Sequence, residues 1–307
     1  MISSFFSQSR PIHFVVMSSF LLLVFVASKI YALHEPFSFQ LFAEQGFYFV
    51  IVLSSLFLLD FFASRNSLTK KNSYKLLMFG LFMAMLPETL LNSKVLLANF
   101  FILLALRRII SLRTQKEMKK KLFDAAFWIS ISTLLYSWAA LFFFLILSAI
   151  FLYSIINFKN WLIPFTGVLT VIIIWVCAMI LMNQDFSDYF AGFFVYSFDY
   201  TRLNSARIVV SATILLSYGI WASFYFIKHL KEKSKTLRPS FHLVVLSSVI
   251  SLLIILISPN KNGSEFIFLF APLSIIMANY LEVTKEKWFK EVLIWILVLI
   301  PAVFLIL

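Results

Sequence analysis

The 307-residue chain is 62% hydrophobic and only 13% charged, with a mean hydropathy of +0.95. A soluble domain carries about 25% charged residues, so a water-soluble fold is excluded. Apolar runs of about 20 residues recur from end to end and mark an all-α, polytopic transmembrane bundle. The net charge of +12 does not point to nucleic acid. The basic residues flank apolar runs, where they set topology and meet anionic headgroups.

Eleven spans fit, at about 13–33, 46–63, 74–91, 94–112, 122–137, 139–157, 161–182, 208–227, 241–258, 266–282 and 289–307. They form one membrane domain, residues 1–307. The apolar run after Arg10, Phe14 to Leu33, exceeds the roughly 7–15 residues of a cleaved signal core and is expected to stay as the first span. With the N-terminus inside and the C-terminus outside, 21 of the 26 basic residues fall on the inner side, as cytoplasmic loops require. The exceptions are Lys29, Lys94, Arg202, Arg207 and Lys261. The opposite orientation would put Lys116, Lys119, Lys120 and Lys121 outside.

Two segments need more than hydropathy. The run over 122–157 would reach roughly 50 Å as one helix, against a hydrocarbon core of about 30 Å. Lys121 and Lys159 flank it, so it is expected to fold back near Ser137 and Trp138. The third and fourth spans meet at Pro87-Glu88, which suggests either two full crossings or a shallower pair beside a cavity.

The lone cysteine, Cys177, excludes disulfides and thiolate metal sites and is expected to be a small buried hydrophobe. His13, His229 and His242 belong to the inner side and His34 to the outer, so a four-histidine iron site cannot assemble. Six glycines in all leave no phosphate-cradling loop.

The longest outer stretch, Asn183 to Arg207, carries Asp185, Asp188, Asp199, Arg202 and Arg207 among aromatic residues. Its rings are expected to form an interfacial belt. Glu35, Glu44, Glu88, Lys94, Lys261 and Glu265 share the outer side. Converging carboxylates could act as a general base or hold a divalent ion. Arginines could bind a lipid-linked phosphate. Charges so close to a bilayer are functional more often than most.

The hairpin Phe123–Asn157 with Lys159, Asn160, Trp161 and Pro164 after it resembles polyprenyl-dependent membrane glycosyltransferases of the GT-C superfamily, as does Glu265–Ala278 with Pro272. That resemblance implies transfer from a polyprenyl-phosphate-linked sugar at the outer face of the inner membrane. It also implies a catalytic carboxylate in the first outer loop, where Glu35 matches by position. His34-Glu35 stands where that family commonly has paired acids. With Glu35 as base, Arg202 and Arg207 would hold the lipid phosphate, and Asp185 or Asp188 a divalent cation or sugar hydroxyls. Glu44, Glu88, Lys94 and Glu265 are secondary candidates. The opening residues MISSFFSQSRPIHF and the Phe-, Ile- and Lys-rich composition also resemble a polytopic inner-membrane family of Bacteroidota-type bacteria, with no activity implied. The alternative is a non-enzymatic membrane protein, either a scaffold of an envelope machine or a lipid-linked-glycan transporter. Membrane lipids are the expected partners in either case, and nucleic acid is not.

Overall fold

The computed structural model describes residues 1–32, 38–155, 157–183, 192–259 and 261–306. The described residues form twelve α-helices and no strand. They are α1 (Ile2–Phe6), α2 (Pro11–Ala32), α3 (Phe39–Arg65), α4 (Tyr74–Met85), α5 (Ser93–Ser111), α6 (Met118–Leu135), α7 (Phe143–Leu152), α8 (Phe158–Leu181), α9 (Ala206–Lys228), α10 (Arg238–Ile257), α11 (Ile267–Val283) and α12 (Lys287–Ile306). Among the described residues, seven segments are helical, long and apolar enough to cross a membrane: Pro11–Ile30, Phe39–Arg65, Ser93–Thr114, Phe158–Leu181, Ala206–Glu232, Arg238–Ile257 and Ser264–Val283. Tyr74–Met85 and Ser137–Leu152 are apolar but shorter.

The short α4 and the long α11 form the centre. Every residue of α4 is buried, and α11 is buried from Ile267 to Leu281. The two pack side by side, with α2, α3 and α12 also on α4 and α5, α9 and α10 also on α11. At the periphery α6 joins α5 to α8.

The expected fold-back is present. α6 ends at Leu135, a 3₁₀ turn covers Ser137–Phe142, and α7 runs back. Its return is fixed where Tyr153 Oη meets the Ile110 carbonyl at 3.2 Å and Ser240 Oγ at 2.9 Å. The expected span 74–91 is cut short. α4 has 12 residues, about 18 Å of helix, and stops because Pro87 disfavours helical backbone at the residue before it. Leu86 accordingly sits at φ −126°, ψ 71°. Cys177 corrects an expectation: it is exposed on α8, because a helix side facing lipid is as apolar as a buried one.

One end of the bundle gathers the starts of α2, α4, α6, α8, α10 and α12 with most of the lysines and arginines. Hydrogen bonds and an ion pair tie this basic end together. Tyr74 Oη donates to the Ser3 carbonyl at 2.9 Å, and Asn279 Nδ2 donates to the Leu68 carbonyl at 2.7 Å. Glu282 Oε1 accepts from Lys70 N–H at 2.8 Å and from Asn72 Nδ2 at 2.6 Å. Lys75 Nζ lies 2.9 Å from Asp60 Oδ1, joining α4 to α3.

Candidate functional site

The opposite end is built around the break after α4. A helix terminus leaves carbonyls without intrahelical partners. One of them, Met85 O, accepts from Ser211 Oγ at 2.8 Å. One turn earlier on α9, the Arg207 guanidinium clasps Glu88 Oε1 through both Nε, at 2.9 Å, and Nη2. The first turns of α9 thus close the irregular backbone of 86–92, as such backbone requires in a bilayer. Glu88 Oε2 is buried without a hydrogen-bond partner among the described residues. The Arg207 side chain keeps 42% of its exposure.

Gly263 packs directly on Glu88. Its φ of +90° is left-handed, and a Cβ there would lie 3.2 Å from Glu88 Cβ. Glycine answers both demands at once. The Gly263 N–H donates to Glu265 Oε2 at 3.1 Å, and Ser258 Oγ donates to Glu265 Oε1 at 3.2 Å. Tyr136 Oη in turn donates to Ser258 Oγ at 2.7 Å, so the hairpin turn after α6 joins the chain of bonds. Glu265 is only 3% exposed, and each of its oxygens has a donor.

Lys261, 2% exposed, donates to the Ser197 and Ser258 carbonyls, the latter at 2.9 Å. Its Nζ also lies 4.5 Å from the centre of the Tyr200 ring, a cation–π contact. Tyr200 Oη donates to the Leu256 carbonyl at 3.1 Å and Trp138 Nε1 to the Val195 carbonyl at 2.9 Å. These bonds strap residues 195–200 across the ends of α10 and the hairpin. Asp199 stays exposed; hydrogen bonds from the Thr201 backbone and side chain hold its carboxyl below the usual range.

The predicted site residues therefore divide. Glu88, Arg207 and Glu265 come together. Arg202, in the 3₁₀ turn Thr201–Leu203, and Lys94, in the first turn of α5, are exposed. Glu44 is exposed on α3, within electrostatic reach of Lys29. Glu35, Asp185 and Asp188 lie outside the described residues. Among the described residues no three His, Cys, Asp or Glu side chains gather as metal ligands. Sequence reasoning missed Ser258, Tyr136, Ser211 and Gly263. The available signal was the polar, glycine-containing turn Ser258–Ser264 between two apolar runs, which marks a tight loop.

No curated protein and no solved structure matches the chain. A family model matches residues 4–307, nearly the whole length, and the chain belongs to that family, described as a family of unknown function (DUF6427).

Proposed function

We propose that this protein is a non-enzymatic, multi-pass component of the bacterial inner membrane, a scaffold of an envelope machine. In this reading the chain crosses eleven times, with the basic end in the cytoplasm and the Glu88–Glu265 end outside. The carrying observation is that the converging charges of the outer end answer one another. Arg207 is taken up by Glu88, Glu265 by Ser258 and Gly263, and Lys261 by two carbonyls and a ring. A catalytic or phosphate-binding group needs donors and acceptors left over for the substrate. Ion-coupled transport is disfavoured too. The buried Lys75–Asp60 pair sits where α3 ends and α4 begins, rather than at a broken helix near mid-depth.

A second reading, GT-C-like glycosyl transfer from a polyprenyl-phosphate-linked sugar, keeps one specific observation. Glu88 Oε2 is buried at a broken helix without a partner among the described residues, beside a guanidinium that is still partly exposed. In that reading Glu35 is the base, Arg202 and Arg207 hold the lipid phosphate, and Asp185 or Asp188 holds a divalent cation.

Membrane vesicles with and without the chain, given radiolabelled polyprenyl-phosphate sugars and divalent cation, separate the two. The scaffold reading expects equal donor consumption in both. Consumption that depends on the chain and disappears in Glu35→Gln and Arg202→Ala would establish the transferase instead.

A further inference from the structure

At the basic end, α4 is flanked by α2 on one side and α12 on the other. Between them opens an apolar cleft of about 490 Å³, walled by Val16, Phe20, Leu77, Leu81 and Val298, with Phe5 of α1 at its mouth. We propose that this cleft holds one acyl tail of an anionic phospholipid from the leaflet on that side.

Depth is the first argument. Lys287 opens α12 at the basic end and Val298 lies 11 residues further along it. That is about 16 Å of helix, close to half of a hydrocarbon core of about 30 Å. The cleft therefore runs from headgroup level to the bilayer midplane, the reach of a single leaflet's tail.

The rim is the second argument. α1 is too short to hold itself, and it is fastened at both ends. Glu291 Oε2 and Oε1 accept from the Ile2 and Ser3 N–H groups at 3.1 and 2.8 Å. The Phe6 carbonyl accepts from Ser73 N–H at 3.0 Å. The mouth is thus preformed, as ligand pockets usually are.

Charge is the third. The Glu291 carboxylate is spent on α1. At the same end Arg10, just before α2, is exposed and bonded to Gln8, and Lys290, in the first turn of α12, lies 6.0 Å from the Tyr74 ring centre. A cationic mouth above an apolar slot suits an anionic headgroup, since juxtamembrane cations are drawn to anionic lipid surfaces.

The test uses the full-length protein in nanodiscs with a trace of phosphatidylglycerol bearing a photoactivatable group in mid-chain. The proposal expects adducts concentrated on Phe20, Leu77, Leu81 and Val298. Excess phosphatidylglycerol should compete them away and phosphatidylcholine should not. Val16→Trp, which fills the slot, should cut labelling of Leu81 at least fivefold; Val298→Trp closes it from the other wall and serves where the first variant folds poorly. Adducts spread evenly over the lipid-facing sides of α2, α3 and α8, or equal competition by the two lipids, would overturn the proposal.

Discussion

Lys75→Met should lower the stability of the purified protein by about 3 kcal/mol, the low end for breaking a buried ion pair. Lys75 is 1% exposed and Asp60 16%. The contact is charge on charge: at 2.9 Å its angle falls short of a hydrogen bond to Asp60 Oδ1, and Lys75 Nζ also donates to the Asn72 carbonyl at 3.1 Å. Removing the ammonium takes away the carboxylate's paired charge in a largely dry site. Removing both charges leaves nothing unpaired, so Asp60→Leu with Lys75→Met should return most of the loss. Thermal and denaturant unfolding in mild detergent would measure the cycle. Equal losses in the single and the double variant would show that the pair does not lock α3 to α4.

Gly167→Leu should part α8 from α6. A Cβ at Gly167 would lie 2.8 Å from the Phe123 carbonyl oxygen, 3.0 Å from Ala126 Cβ and 3.1 Å from the Phe127 nitrogen. Two of these three are backbone atoms of α6, which cannot rotate away as a side chain could. Asn160, Pro164, Gly167 and Val171 make the buried stripe of α8. This is the close small-residue approach by which membrane helices associate when both surroundings are equally apolar. Overpacking of this kind costs about 1–3 kcal/mol, and because α8 packs chiefly on α6 the strain is relieved by separation. Spin labels at the exposed Lys119 on α6 and Leu169 on α8, in a Cys177→Ser background, should show a longer and broader distance in Gly167→Leu and a smaller shift in Gly167→Ala. An unchanged distance would mean that α6 and α8 are held apart from that stripe.

How the helices lie along the chain was legible because hydropathy and charge report depth. The fold-back at Ser137 followed from comparing run length with bilayer thickness, whereas Pro87-Glu88 left two full crossings and a shallower pair both open. Which face of each helix meets which neighbour was not legible. In lipid both sides of a span are apolar, so no polar stripe marks the outward side. That is why Cys177 was expected inside and lies outside. The same silence hid the polar end. Glu88 and Arg207 are 119 residues apart, and Tyr136 and Ser258 are 122 apart. Serine hydroxyls such as Ser211 and Ser258 gave no sequence signal of their own. The charges assigned to the outer side were visible as a group, but not that Glu88 would engage Arg207 while Arg202 stayed apart.

The central claim is that the Glu88–Arg207–Glu265 end is a closed structural clamp and not a site for a lipid-linked phosphate. A ligand that binds the folded state raises its stability by about 2.7 kcal/mol at a hundredfold excess over its dissociation constant. Thermal unfolding of the purified protein with polyprenyl phosphate, and with the uncharged polyprenol as control, reads this directly. The clamp predicts the same midpoint with either additive, in the wild type and in Arg207→Met alike. A rise of several degrees given by the phosphate alone and lost in Arg207→Met would contradict it.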